Sequence, residues 1–279
     1  RSHIPHVAFH PTCHLELHEQ KGYQLLHGLH GVLVGSPSTL LTRDDLDRVA
    51  DPLAALLLEL PQREIGGRLP AWEDLLAVIR WARERGVALH LDGARLWECK
   101  PFYQREYREI AGLFDSVYVS FYKILGGITG AVLAGPADFI AEARIWQRRH
   151  GGNLMRLFPY VLSARSGLEK RLSRMSQYRD KAVEIAHALS EFDRIDCVPN
   201  PPQVNMCHLF LRGNRERLEA AGLEIARTQK TWLFNSLMPT PIPDIQAFEL
   251  TVGDATLDLP IDEIVALFRS LFARADRKE

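Results

Sequence analysis

The sequence predicts an α/β protein: a mainly parallel sheet wrapped by helices, followed by a smaller α+β domain. Three observations predict it. Over the first half, short apolar runs alternate with amphipathic segments, the rhythm of strand–helix–strand units. Two of the runs deliver charge to a strand end: Val87 to Leu91 leads into Asp92, and Ser116 to Phe121 leads through Tyr122 to Lys123. After Gly151-Gly152 the pattern changes to long helical stretches and strands expected to be antiparallel, with Pro199, Pro201, Pro202, Pro239, Pro241 and Pro243 in the loops.

Expected strands of the first part are Ile4–Phe9, Val32–Gly35, Ala54–Leu60, Val87–Asp92, Val117–Phe121 and Ala131–Ala134. Leu15–Leu29 is expected as one helix, and Arg43–Ala50 as another, opened by a Thr42/Asp45 capping box. Trp72–Glu84 carries the clearest helical period: Trp72, Leu75, Leu76, Ile79 and Ala82 share a face, with Pro70 before and Gly86 after. Ala137–Arg149 gathers arginine toward its end, where the backbone dipole favours positive charge. The second part is expected as a long helical stretch over Pro159–Phe192, a strand over Gln203–Leu211 and a helix over Asn214–Ala221. Strands over Thr231–Ser236 and Ala247–Val252 and a helix over Ile261–Ala273 complete it.

The chain has 279 residues, 46% hydrophobic and 25% charged, enough for one large domain and a smaller one. A formal net charge of −1 sets up no field to recruit nucleic acid or an anionic membrane. No apolar stretch reaches the roughly 20 residues of a membrane span. The start, Arg1-Ser2-His3-Ile4-Pro5, has the form of neither a signal nor a transit peptide. Cys13, Cys99, Cys197 and Cys207 show no CxxC spacing and are expected to be reduced thiols of a cytoplasmic protein, with Cys13 and Cys99 as packing residues. Internal repeats, a Walker loop, a GxGxxG fingerprint and a Gly-x-Ser-x-Gly elbow are all missing from the text.

The chemistry concentrates at the strand ends. In an open α/β sheet, ligands bind at the carboxyl edge of the strands, which is where Asp92 falls. A carboxylate there can pair with the ring nitrogen of pyridoxal phosphate (PLP), or it can serve as a helix N-cap. Lys123, directly after an apolar strand, is either a Schiff-base lysine or a solvated turn residue. Gly126, Gly127 and Gly130 behind it allow the backbone to approach a ligand closely. Arg95 offers a bidentate grip on a carboxylate, or lies on a helix surface. Arg156 could hold a phosphate or a carboxylate, beside Arg144, Arg148 and Arg149. His10, His14 and His18 recur every four residues, but Pro11 and Thr12 interrupt the helical register that a metal site would need, which leaves His14 as a stacking or acid/base residue. His90, inside a strand, reads as structural.

In family order, these pieces resemble the threonine aldolase/β-eliminating lyases, fold-type-I PLP enzymes. The matching stretches are Cys13-His14-Leu15 with Glu19, Glu59 with Gly66-Gly67-Arg68, His90 through Leu96, and Asp115 through Lys123 with Gly130-Ala131-Val132. Gly151-Gly152-Asn153-Leu154-Met155-Arg156 follows. The resemblance covers about His10 to Arg156 and is weak beyond. It implies that Lys123 forms the Schiff base with PLP, Asp92 pairs with the pyridine nitrogen and His14 covers the ring. Arg95 would bind the substrate carboxylate, and Arg156 would assist with phosphate or carboxylate. It further implies a PLP-binding large domain over residues 1–157, a small domain over 158–279, a homodimer or homotetramer, and aldol cleavage of threonine or allo-threonine to glycine and acetaldehyde. The other readings are β-elimination on the same fold, a non-catalytic PLP-fold homologue, and an aminotransferase.

Three departures from the family pattern shape these expectations. The Gly/Thr/Ser-rich phosphate loop has no counterpart before Arg1, so the chain is expected to start partway into the large domain. Leu60-Pro61-Gln62 stands where the family has a histidine. Gln62 can touch substrate but cannot act as a base, which passes that task to His14 or a water. Phe248-Glu249-Leu250 lacks the family's second arginine, so carboxylate binding rests on Arg95.

Overall fold

Leucine-rich runs that can be buried on both faces become the inner strands, and the charged residues that end them stop at the sheet's edge. The computed structural model describes residues 3–277; Arg1 and Ser2, which begin the stretch read against a targeting peptide, lie outside it. The chain divides into two compact units, one running to Met175 and the other starting at Ser176. The division thus falls later than the expected residue 157, and the helix Phe158–Arg171 goes with the first unit. There Gly167 packs directly on the Leu125 carbonyl, and Arg171 Nη1 donates to the same oxygen at 2.7 Å.

The first unit holds a six-stranded sheet: β1 (His6–Phe9), β2 (His30–Leu33), β3 (Ala55–Glu59), β4 (Ala88–Gly93), β5 (Ser116–Ser120) and β6 (Ala131–Ala134). Its order is β2-β1-β3-β4-β5-β6, parallel throughout except for the antiparallel β5–β6 pair. Leu56, Leu57, Leu89 and Leu91 are buried at its centre. The helix Trp72–Glu84 forms as expected: Glu73 and Asp74 occupy its first turn, and Leu75, Val78, Ile79, Trp81 and Ala82 are buried. Trp81 Nε1 donates to Asp47 Oδ1 at 2.7 Å. Asp47 ends the helix Arg43–Asp47, shorter than expected but opened by the expected Thr42/Asp45 capping box.

The expected helix Leu15–Leu29 is two short ones, His14–Leu17 and Gly22–His27. Gln20 and Lys21 between them adopt left-handed backbone (φ 50° and 55°), which no right-handed helix can continue. Glu16 holds the break, pairing with Lys21 at 3.0 Å and accepting from Tyr23 Oη at 2.6 Å.

At the end of β4 the chain runs against its neighbour. A Cβ added to Gly93 would sit 2.6 Å from the Tyr118 carbonyl oxygen, a backbone atom held in β5. Gly93→Ala is therefore expected to destabilise the protein by about 1–3 kcal/mol by forcing the two strands apart. Urea denaturation checks this, and an unchanged midpoint would show that the edge yields freely.

The second unit is α+β. Its antiparallel sheet has the order β7 (Ile195–Val198), β8 (Met206–Arg212), β10 (Ile245–Thr251), β9 (Met238–Pro239). Its helices include Met175–Leu189, Arg215–Gln229 (longer than expected) and Ile261–Ala275. Phe248 stacks on Phe268 in a core with Leu209, Leu211 and Leu271. The expected strand Thr231–Ser236 is irregular instead. Lys230 leaves the preceding helix with φ 59°, and Trp232 Nε1 bonds Asn235 Oδ1 at 2.8 Å, closing a local turn. Among the described residues no helix is long and apolar enough to cross a membrane.

Candidate active site

Strand register aligns one row of side chains across the carboxyl edge of the first sheet: Glu59 opposite Asp92 and Asp92 opposite Tyr118 in parallel pairs, Tyr118 opposite Leu133 in the antiparallel one. Two residues earlier, Leu57, His90 and Ser116 form a second row on the same face. Above these rows opens a cavity of about 450 Å³, walled by Leu15, Leu57 and Leu133 and bearing His14, Glu19, Glu59, Arg63, Asp92, Arg95, Tyr122 and Lys123. Asp92, Lys123, Arg95 and His14, expected to act together, share this one cavity.

Each is held by local structure. The Asp92 carboxylate accepts from Ala94 N at 3.1 Å, so it turns the chain at the strand end and does not cap the next helix. Arg95 rides on that turn, which Ser120 pins by donating from its buried Oγ to Ala94 O at 2.6 Å, while Trp97 Nε1 donates to Ser120 O at 2.8 Å. Lys123 sits just past β5, its Nζ 5.0 Å from the Tyr122 ring centre. The Tyr122 hydroxyl lies 3.2 Å from that of Tyr118. Burial, then the bond to Tyr122, pushes the Tyr118 phenol's pKa up, so it stays neutral. His14 donates from Nε2 to Glu19 Oε1 at 2.9 Å, and its ring lies 4.9 Å from that of His18.

Two expected site residues lie elsewhere. Gln62 does not line this cavity. It is buried behind Glu59, its amide donating to Glu59 Oε2 at 3.3 Å, Thr12 O at 3.3 Å and Thr12 Oγ1 at 3.2 Å, so its hydrogens are committed to the protein. Arg156 stands on the exposed segment before the helix Phe158–Arg171 and is not part of the cavity wall. His10 separates from His14 and His18: its buried ring is spent on Thr12 Oγ1 at 2.8 Å and Thr39 O at 2.7 Å. Among the described residues no group of three or more His, Cys, Asp or Glu side chains could hold a metal ion.

The structure adds residues that the sequence reading passed over. His90, read as structural, faces the cavity, with Nδ1 2.8 Å from Ser116 Oγ; burial lowers its pKa and keeps it neutral. Tyr118, Tyr122 and Arg63 line the wall. Glu59 is a second strand-end carboxylate, whose pKa burial and then the neighbouring Asp92 push up to about 7. Its signal was present in the sequence, since a charge ending Leu-Leu-Leu is the same pattern that singled out Asp92.

As a donor set, this suits PLP. A carboxylate at the floor fits a protonated ring nitrogen, an amine at the end of the next strand fits an aldehyde, and the apolar walls and the His14 imidazole fit a flat ring.

Residues 2–213 match the family described as Beta-eliminating lyase. A Listeria monocytogenes structure assigned as an L-allo-threonine aldolase is 43% identical, with a TM-score of 0.92, over 97% of this chain and 75% of that one. The aldolase vrtJ of Penicillium aethiopicum is 33% identical over 59% of this chain, and low-specificity L-threonine aldolase 1 of Arabidopsis thaliana 25% identical over 77%. The matches span 45% and 65% of those two relatives' own lengths. With the cavity at the carboxyl edge of a mainly parallel sheet and a match over most of its length, the chain belongs to the β-eliminating lyase family and has the fold-type-I architecture.

Proposed function

We propose that this protein is a PLP-dependent lyase that cleaves a small β-hydroxy amino acid between Cα and Cβ, with threonine or allo-threonine giving glycine and acetaldehyde. The observation that carries the reading is the opening of Asp92, Arg95 and Lys123 onto one cavity. PLP, when bound, supplies an aldehyde for the substrate nitrogen and a ring that accepts the electron pair freed at Cα. Asp92 would pair with the ring nitrogen and keep its proton there. Arg95 grips the substrate carboxylate through its planar fork. Lys123 would hold the cofactor through its amine and would carry a proton at the substrate Cα. Because Glu19 accepts from His14 Nε2, the His14 Nδ1 lone pair is left to take the β-hydroxyl proton.

The test is to load the protein with PLP, add threonine, allo-threonine or serine, and assay the products. Aldehyde with glycine supports the proposal. Ammonia with a keto acid would replace it with β-elimination on the same fold. A coloured protein inert toward every amino acid would leave a non-catalytic homologue.

A further inference from the structure

Glu59 has no task in the reaction above, yet it is the most unusually placed charge in the cavity. Register sets it directly beside Asp92 on the neighbouring parallel strand, one strand spacing (about 4.8 Å) away and on the same face. Its carboxylate takes two hydrogen bonds, from Arg63 N to Oε1 at 3.1 Å and from Gln62 Nε2 to Oε2 at 3.3 Å, both from uncharged groups. Gln62 is itself fixed on Thr12, so the cradle is rigid.

The charges facing Glu59 come from every element around it. From β4 and its turn come Asp92, which disfavours ionisation, and Arg95, which favours it. From the short helix Arg63–Ile65 comes Glu64, also disfavouring; the Arg63 guanidinium is engaged with Glu64 Oε1 at 2.8 Å. From the segment before His14 come two neutral groups: the buried His10 imidazole, with its pKa lowered, and the Cys13 thiol, pushed up to about 12. His90 in the adjacent row is neutral for the same reason as His10. Burial outweighs them all, and the carboxyl titrates near neutrality.

We propose that Glu59 and Asp92 act as a carboxylate pair that keeps one proton in the ligand-free site and surrenders it when a protonated nitrogen heterocycle docks on Asp92, which makes Glu59 a positioning residue for the cofactor's ring nitrogen. The inference rests on the functional reading above. Two carboxylates a strand apart in a partly buried wall resist holding two negative charges. An incoming ring N–H⁺ supplies the compensating positive charge, so Glu59 ionises and its proton leaves to solvent. The filled site thus keeps the net charge of the empty one while the ring nitrogen gains a second anion that holds its proton in place.

The probe is pyridoxine 5′-phosphate, which has the ring and the phosphate but no aldehyde, so Lys123 stays unmodified. Its titrations cancel between wild type and the near-isosteric Glu59→Gln. Calorimetry in two buffers of different ionisation enthalpy, at about pH 6, should count about one more proton released by wild type than by Glu59→Gln. The wild-type-to-variant affinity ratio should rise about tenfold per pH unit from about pH 5 to 7. In wild type alone, an infrared band of a protonated carboxyl should vanish when the probe binds. Equal proton counts with binding retained, or a band that persists, overturn this inference and leave the proposed reaction standing. A wild-type protein that does not bind the probe overturns both, whereas binding with the proton count found and no cleavage of threonine overturns only the reaction.

Discussion

Lys123→Ala is expected to fold normally, to lose the visible absorption that the PLP-loaded wild type shows and borohydride abolishes, and to lose at least about 10⁴-fold in turnover. The fold should survive because what Lys123 gives the structure is backbone: its carbonyl accepts from Gly126 N at 2.9 Å, and Gly127 N bonds Phe121 O at 2.7 Å, both kept by alanine. The side chain stands in a turn, over the Tyr122 ring, and is only half-buried. The chemical loss is large because, among the described residues, no other lysine lines the cavity. Arg95 and Arg63 cannot substitute, since a guanidinium does not give up its proton at working pH. Spectra and turnover together are decisive: a variant that keeps the absorption, or stays within tenfold of wild-type turnover, would show that Lys123 is a turn residue and that the amine lies elsewhere.

Lys123 and Asp92 could be read from the sequence for one shared reason. A charge that directly ends an apolar strand is costly unless used, and in a parallel sheet such charges converge on one edge. The same reasoning applies to Glu59, whose place beside Asp92 is set by a cross-strand register that residue type does not reveal. Tyr118 was hidden because an aromatic residue in a buried strand looks like core. Only alignment with Asp92 across the sheet places Tyr118 on the cavity face. Gln62 was misplaced because residue type says what an amide can bond, not whether Thr12 and Glu59 have already taken its hydrogens. The break at Gln20 and Lys21 had no sequence mark, because neither residue is a usual left-handed one. Where burial and period decide, as in Trp72–Glu84, the element was legible. Where one backbone angle or one cross-strand neighbour decides, it was not.

Asp92→Asn should bind pyridoxine 5′-phosphate roughly 10²- to 10⁴-fold more weakly than wild type, the cost of removing one member of a partly buried charge pair (about 3–5 kcal/mol). Asparagine keeps an oxygen to accept from Ala94 N, so the turn that carries Arg95 should hold and the loss is attributable to charge. With its directly paired carboxylate gone and only Glu59 left beside it, the ring nitrogen would keep its proton less well and accept electrons less readily, so turnover should fall beyond what resaturating with PLP restores. Glu59 supplies a second signature. In Asp92→Asn it loses its like-charged neighbour, so its carboxyl should titrate lower than the wild-type value of about 7. Glu59→Gln should then change binding less in the Asp92→Asn background than in wild type, the non-additivity expected of two groups in one electrostatic unit. Binding isotherms of the two single variants and the double variant measure all of this at one pH. Additive losses would separate the two carboxylates, and an Asp92→Asn protein that binds within threefold of wild type would remove the ring nitrogen from this edge of the sheet altogether.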